Sequence, residues 1–257
     1  VSGTNSCSMI SNSIVVESKA KLSVTELSVS LSSSNSLINN FSNIVCNNYS
    51  ECEFTSIQKL DNTCTAVQSI RATQYKNSLC TVNSFPLSGN LVRQNIVVNK
   101  QDTQANSHLN GLFFPTNEEH FETYTWVNHN KPECETHELF KGLANGNAQG
   151  VFSGMIYVAK DAQKTLATQS NRNMLLSETA KIHSKPQLEI YADDVSCNHG
   201  STTGQINKEA LWYMQARGIS PQQAVLLLLE GFIAEVVDRI SNDSVKQLIL
   251  DSLKSKI

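Results

Sequence analysis

The stretch Val151–Ala180, VFSGMIYVAKDAQKTLATQSNRNMLLSETA, contains the pattern that decides the fold. An apolar run ends at Val158, and a small residue, Ala162, follows four positions later. The same arrangement recurs at Leu176 and Ala180, about 18 residues further on, which is close to one turn of a β-solenoid. Each coil of a solenoid buries its inward face on the coil below, so a small residue is expected where the backbone turns tightly.

The same signals extend outward from this stretch. A third turn of this kind runs from Val16 to Ala20, and between Ser11 and about Tyr191 short runs rich in Val, Ile, Thr and aromatic residues are broken by Asn, Ser, Gly and Asp. Examples are Ile14–Val16, Phe54–Ile57, Leu91–Val98, Tyr124–Val127, Val151–Val158 and Gln187–Tyr191. Because helix signals are absent there, we expect stacked parallel coils over most of roughly residues 10 to 200.

A sandwich of hairpins is the alternative fold, because it also contains many short strands. Hairpins favour Asn-Gly and Asp-Gly turns, and only Asn110-Gly111 and Asn145-Gly146 occur here. The pattern therefore favours an all-β core built as a right-handed parallel β-helix, with the sandwich as the second interpretation.

The apolar period changes from two to about 3.6 near residue 205. A first helix is predicted over Lys208–Arg217, ending at Gly218, which is a natural residue to follow a helix. We therefore expect two parts, a β-helix core over residues 1–205 and a C-terminal α-helical region over residues 206–257.

The second predicted helix has a clear start. Ser220 is a capping residue, Pro221 stands at the first helical position, and Gln223 lies three residues after the cap. The helix is predicted to run to about Ile240, with an apolar stripe at Leu228, Phe232, Val236 and Ile240. A third helix is predicted from Ser244 to Lys254.

The composition argues against several classes of function. The 257 residues are 40% hydrophobic and 17% charged, with a formal net charge of −3. No cluster of Lys and Arg offers a surface for nucleic acid, and no apolar run of about 18 residues offers a membrane span. The seven cysteines are odd in number and scattered, which favours a reducing cytoplasm over a secreted disulfide framework.

The densest polar cluster is Asp193-Asp194-Val195-Ser196-Cys197-Asn198-His199-Gly200. Cys197 and His199 lie two apart on an extended segment, so both side chains should point to the same side. Thiolate and imidazole are ligands that suit zinc, copper or iron, and the nearby carboxylates of Asp193 and Asp194 would complete a metal site. The alternative is a structural turn with two solvated aspartates, since no second ligand pair follows at metal-site spacing.

Cys134 and His137 form a second thiol and imidazole pair, three residues apart. They are a candidate metal half-site, with ordinary loop residues as the alternative. Neither a P-loop nor a Gly-x-Gly-x-x-Gly fingerprint is present, and no third group is placed to orient a Cys/His nucleophile. Nucleotide chemistry, if it is involved, therefore belongs to a partner.

Many of these residues belong to a longer colinear signature. It comprises Leu91–Arg93, Lys141-Gly142, Val151–Gly154, Gln163–Thr165, Gln169–Asn173, Leu175–Ser177, Pro186–Val195, Cys197–Gly200, Gly204, Trp212–Met214 and Arg217–Ile219. Over roughly residues 91 to 240 the chain resembles the SufB/SufD family of iron-sulfur cluster assembly subunits. Two positions depart from the family pattern: Trp212 stands where phenylalanine is usual, and His137 where serine is usual.

The resemblance implies a right-handed parallel β-helix with a helical C-terminal region, in agreement with the pattern. Family members usually carry a further helical region before the β-helix, which we expect to be missing here. They act as partner subunits: SufD pairs with the related SufB through the β-helix, and each binds the ATPase SufC through its C-terminal helices. We therefore expect a cytoplasmic scaffold subunit without enzyme activity of its own. The implied partners are a SufB-like subunit, or a second copy of the chain in a homodimer, and a SufC-like ATPase. Candidate residues for docking the ATPase are Trp212, Tyr213, Arg217, Gly218 and Ile219.

Two positions favour the SufD branch of the family. SufB-like chains carry a functional cysteine in the loop that matches Glu178–Lys181 and a glutamate after the histidine that matches His199, whereas this chain has Ala180 and Gly200. The resemblance implies that His199, with Cys197 beside it, lies at the subunit interface where the nascent cluster forms. We expect iron or a cluster to bind transiently in the complex, with ligands completed by the partner, and not stably to the isolated chain.

Two enzyme functions are the alternatives. A β-helix carbohydrate-active enzyme would use Asp193 and Asp194 as its acidic pair, although such enzymes are usually secreted and bind sugars on aromatic-lined grooves. A zinc-dependent hydrolase would be built on Cys197, His199 and an aspartate.

Overall fold

The computed structural model describes residues 5–30 and 35–257, and its strands alternate between two sheets. The odd sheet contains β1 (Ser6–Val16), β3 (Ser36–Cys46), β5 (Cys64–Gln74), β7 (Leu91–Lys100), β9 (His120–His129), β11 (Gln149–Val158) and β13 (Lys181–Ile190). The even sheet contains β2 (Lys21–Val29), β4 (Glu51–Lys59), β6 (Leu79–Ser88), β8 (Asn106–Phe113), β10 (Glu135–Ala144), β12 (Leu166–Leu175) and β14 (Ser196–Gln205). Every neighbouring pair of strands within a sheet is parallel.

This pairing forms the predicted parallel β-helix and excludes the sandwich of hairpins. One coil consists of an odd strand, a corner, an even strand and a second corner, so equivalent residues lie about 30 positions apart, as in the pairing of Ser6 with Ser36. The coil length predicted from sequence is wrong, because Ala162 and Ala180 occupy successive corners of one coil, on either side of β12. Both alanines are buried where the chain turns, as predicted.

Six of the seven corners that lead from an odd strand to the next even strand contain one residue in the left-handed region, and the corner between β13 and β14 is the exception. The φ of the left-handed residue lies between 53° and 65° at Lys19, Tyr49, Asn77, Gln104, Glu133 and Lys164. The backbone there bonds to the next coil: the Tyr49 N–H, for example, donates to the Lys76 carbonyl at 2.9 Å. A small residue follows in each case, namely Ala20, Ser50, Ser78, Ala105, Cys134 and Thr165. Cys134 is therefore one member of a row of corner residues.

Three helices follow the strands: α1 (Lys208–Gln215), α2 (Pro221–Val237) and α3 (Asp243–Lys254). The first two predicted starts are confirmed, because the side chains of Asn207 and Ser220 accept hydrogen bonds from backbone N–H groups in the first turns of α1 and α2. The predicted ends lie slightly too far along the chain, since α1 ends before Arg217 and α2 before Ile240. None of the helices in the described ranges is long and apolar enough to cross a bilayer.

Helices α2 and α3 cover the outer face of the even sheet and share a hydrophobic core with it. The sheet contributes Ile57, Phe85, Leu87, Leu112, Phe114, Leu139 and Leu143, and the helices contribute Leu229, Ile233, Val236, Val237, Val245, Ile249 and Leu253. The predicted stripe is partly wrong, because Leu228 and Phe232 are only half-buried, while Leu229 and Ile233 are fully buried. A strict four-residue spacing drifts around a helix of 3.6 residues per turn, so the buried stripe needs mixed spacings of three and four.

Candidate functional site

The last coil, formed by β13 and β14, has no further coil stacked on it within the described residues. In the two sheets, β13 has β11 as its neighbour and β14 has β12. The inward side chains of this coil are consequently half-buried or exposed. A cavity of about 680 Å³ opens here, lined in part by Phe152, Ser184 and Ser201, and the Ser201 hydroxyl donates to the Ser184 hydroxyl at 2.7 Å.

Strand β14 places Cys197 and His199 in its inward row. They pair in register with Ala167 and Gln169 of β12, which are both buried in the interior. The two side chains therefore share one side, as their spacing indicates. His199 is exposed, and Cys197 is half-buried against the core of the coil below.

The surroundings of Cys197 favour its neutral thiol. Burial raises the pKa of Cys197, although a backbone hydrogen bond at Ala167 partly opposes this. A thiol binds metal only as thiolate, so His199 is the better-placed ligand of the pair. Within residues 5–30 and 35–257, no group of three or more His, Cys, Asp and Glu side chains is arranged to hold a metal ion.

Asp193 and Asp194 do not complete a metal set with this pair. Both are exposed in the corner before β14. The Asp194 N–H donates to Gln163 Oε1 at 2.8 Å, and its carbonyl accepts from the Lys164 N–H at 2.6 Å. This geometry matches the structural turn considered above and gives no support to a zinc-dependent hydrolase or a carbohydrate-active enzyme.

The inward row that contains His199 continues below it with Gln169 and Glu138. Glu138 Oε2 accepts hydrogen bonds from the Gln169 amide at 2.7 Å and from the Thr125 hydroxyl at 3.1 Å. Burial raises the pKa of Glu138 to about 7, against the effect of these two bonds. Two buried oxygens, Glu138 Oε1 and Gln169 Oε1, have no hydrogen-bond partner in the described structure. Gly154 makes room for this arrangement, since a Cβ there would collide with the Gln169 amide.

Cys134 and His137 do not form a site together. Cys134 is buried in its corner, where its Sγ donates to the Asp102 carbonyl at 3.3 Å. His137 lies on the outer face of β10 and stacks on His108, with the ring centroids 5.4 Å apart. The proposed metal half-site is therefore divided between two faces of the strand, and Cys134 is an ordinary structural residue.

A comparison with known families covers most of the chain. The model of the SufBD core domain, described as part of the SUF system for FeS cluster assembly, matches residues 1–232. The chain belongs to the SufBD family. The matched region includes the whole β-helix, α1 and most of α2, so the family assignment rests on the architecture that carries His199.

Curated relatives within the family point to the SufD branch. The chain is 35% identical to the iron-sulfur cluster assembly protein SufD of Escherichia coli K12 over 175 residues, which are 68% of this chain and 41% of that protein. It is 34% identical to a SufBD family iron-sulfur cluster assembly protein of Synechocystis over 167 residues, 65% of this chain and 37% of that protein. It is 28% identical to SufD of Plasmodium falciparum over 240 residues, 92% of this chain and 16% of that protein. The chain is SufD-like and spans less than half the length of these relatives.

Ala180 and Gly200, from which the sequence analysis predicted a SufD-like chain, lie in different surroundings. Ala180 is buried in the corner before β13. Gly200 is exposed on β14, and a Cβ added there would meet no atom within 4 Å. The space beside His199 is therefore open, and packing within the chain does not require glycine at position 200.

Helix α1 and the turn after it contain the candidate docking residues of this SufBD chain. The helix buries none of its own residues, and Trp212 and Tyr213 are 67% and 59% exposed. The Arg217 guanidinium lies 4.1 Å from the centre of the Tyr213 ring. Gly218, with φ +85°, then turns the chain, and the Ile219 N–H donates back to the Met214 carbonyl at 3.2 Å. Four of the five residues are exposed and Ile219 is half-buried, and they lie together at the end of α1 and in the turn that follows it.

Proposed function

We propose that this chain is a scaffold subunit of the Suf iron-sulfur cluster assembly complex, without enzyme activity of its own, and that it joins a SufB-like subunit through its last coil. The observation that carries the proposal is the open coil formed by β13 and β14, with His199 in its inward row. Unpaired strand edges are ready templates for strands of another chain. A homodimer through the same coil would use the same edges.

His199 is the residue through which we expect the last coil to act on the nascent cluster. It is exposed, and the described chain provides no three-ligand set around it. Its role is therefore that of one ligand or orienting group for iron or a cluster, which are the cargo of the complex, with the remaining ligands supplied by the partner. Cys197 has a secondary role, because its raised pKa disfavours the thiolate.

The corner of α1 is the proposed docking surface for a SufC-like ATPase. Exposed aromatic and arginine side chains that stack on each other are typical anchors of protein interfaces. Trp212, Tyr213 and Arg217 have this character and contribute little to the cores of the chain.

Point variants on α1 test this docking surface better than removal of the helical region, because α2 and α3 share a core with the even sheet. In co-expression with SufB-like and SufC-like subunits, the double variant Trp212→Ala and Tyr213→Ala should lose capture of the ATPase and retain the SufB-like subunit. Trp126→Ala is the matched control, since this tryptophan is also exposed but lies on β9 of the odd sheet. Undiminished ATPase capture by the double variant would refute the assignment.

A second pair of variants tests His199. His199→Ala should leave folding and complex formation intact, because the side chain is exposed, and should lower the rate at which the assembled complex forms clusters, followed by visible absorbance. Cys197→Ser should give a milder loss. The control is His183→Ala, an exposed histidine of the same coil on the outer face of β13. If His199→Ala and His183→Ala complexes form clusters at the wild-type rate, His199 is only a structural residue of the last coil.

A further inference from the structure

A groove lies on the outer face of the even sheet, beside α2 and outside the last coil. Its volume is about 580 Å³, and its lining includes His108, His137, Thr168, Arg172 and Arg239. The sheet supplies one wall through β8, β10 and β12, and Arg239, just after α2, closes one side. None of these residues takes part in the proposed cluster site or in the α1 docking surface.

Two stacked imidazoles form the floor of the groove. His108 and His137 are register partners on β8 and β10, with ring centroids 5.4 Å apart and ring planes 22° apart. The His137 Nδ1 is 3.0 Å from the Thr168 hydroxyl on the next strand, which fixes its orientation. Within residues 5–30 and 35–257, neither imidazole forms an ion pair with a carboxylate.

The cations beside the groove differ in their partners. Arg239 donates to the neutral Asn110 Oδ1 at 3.1 Å. Lys141 and Arg172 share one carboxylate, with Nζ and Nη1 lying 2.9 Å and 3.2 Å from Glu235 Oε2. Arg239 forms no ion pair within the described residues, so its guanidinium is the cation available to a bound anion.

Two further acidic side chains near the groove accept hydrogen bonds from neutral groups. Glu138 lines the floor, but its carboxylate points inward to Gln169. Glu53, on β4, accepts hydrogen bonds from Asn83 and Ser241. The pKa of His108 is lowered, mainly because its ring is buried. The neighbouring His137 and Arg239 lower this pKa further, and Glu135 raises it. The guanidinium of Arg239 is therefore the group that favours an anion in this groove.

We propose that this groove binds an anion with a diphosphate group. The guanidinium of Arg239 provides a planar pair of donors that matches phosphate oxygens, and the hydroxyls of Thr81, Thr168 and Ser170 line the same space. The two imidazoles add N–H donors and a flat surface. The groove is wider than a single phosphate requires, so inorganic pyrophosphate and a nucleoside diphosphate are the two sources of this group.

Isothermal titration of the full chain with sodium pyrophosphate tests the proposal. We expect a dissociation constant of about 0.1 to 1 mM, and Arg239→Gln should weaken it by about tenfold. Arg239→Lys should give an intermediate loss, because it keeps the charge and loses the paired donors. Arg93→Gln is the control, since Arg93 lies on the odd sheet, 3.5 Å from Glu122, and should leave binding unchanged.

A parallel titration with ADP identifies the source of the diphosphate. Tighter binding of ADP than of pyrophosphate, reduced by His137→Ser, supports a nucleotide that stacks on the imidazoles. Equal binding of both supports inorganic pyrophosphate. Thermal unfolding of each variant shows that the fold is retained. The proposal is overturned if neither anion binds at about 10 mM, or if Arg239→Gln binds as tightly as Arg93→Gln.

Discussion

The middle coils and the last coil of the β-helix have the same architecture, but within the described residues a middle coil has a coil on each side and the last coil has one on a single side. Ile156 on β11 and Leu188 on β13 are register partners in one inward row. Ile156 is fully buried, whereas Leu188 is only half-buried, although both side chains are large and aliphatic. The difference arises from the presence or absence of a coil above. Burial in a solenoid is thus a property of neighbouring coils more than of the residue itself.

The largest expected difference between the two regions is in the cost of truncating this row. Ile156→Ala should lower the free energy of unfolding by about 3 to 4 kcal/mol, because it leaves a cavity between coils. Leu188→Ala should cost about 1 kcal/mol in the isolated chain, since part of the side chain is already in water. Denaturant unfolding monitored by circular dichroism measures both. Equal costs would mean that the last coil is as well packed as the middle of the solenoid.

The buried carboxyl of Glu138 should make the middle coils sensitive to pH. Its pKa in the folded chain, about 7, lies above its ordinary value, so the folded state holds the proton more tightly than the unfolded state. The stabilisation that comes from this difference in pKa is complete below the unfolded pKa of about 4.5. It is lost as the pH rises through 7, and the free energy of unfolding falls by up to roughly 3 kcal/mol. Glu138→Gln should flatten this dependence, measured as the unfolding midpoint against pH. Glu189→Gln, an exposed carboxyl of β13, should leave the dependence unchanged.

The smallest expected effect is on thiol reactivity, and it tests whether a partner completes the last coil. Cys197 is half-buried there, whereas Cys7 lies exposed on β1, at the far end of the odd sheet. On assembly with a SufB-like subunit, the rate of maleimide labelling at Cys197 should fall by about tenfold, which corresponds to about 1.4 kcal/mol of protection. The rate at Cys7 should not change. Unaltered labelling of Cys197 in the complex would place the partner elsewhere.

Local features of the fold could be predicted from the sequence because their causes are local. The alternation of apolar residues predicts the strands, the small residues at Ala162 and Ala180 predict corners, and Ser220 and Pro221 predict the start of α2. The coil length could not be predicted in this way, because it depends on which strands pair. The two corners of one coil have the same local sequence pattern as equivalent corners of successive coils, so the pattern does not distinguish the two cases.

The row of Glu138, Gln169 and His199 was hidden for the same reason. These residues become neighbours only once β10, β12 and β14 are aligned, and they are about 30 positions apart in the sequence. The stacking of His108 on His137 has the same origin. A known coil length would have revealed both, since residues one coil apart share a face. The separation of Cys134 from His137 could have been predicted from the sequence, because an odd spacing on a strand places two side chains on opposite faces.

The position of α2 and α3 has a consequence for how the protein is made. The apolar outer face of the even sheet, from Ile57 on β4 to Leu143 on β10, belongs to coils that leave the ribosome before these helices do. Until the helices are synthesised, no other described part of the chain covers that face, and it is exposed to other nascent chains. Chaperones that bind apolar surface should therefore associate with this protein mainly during translation of the later coils, and release it when α3 emerges.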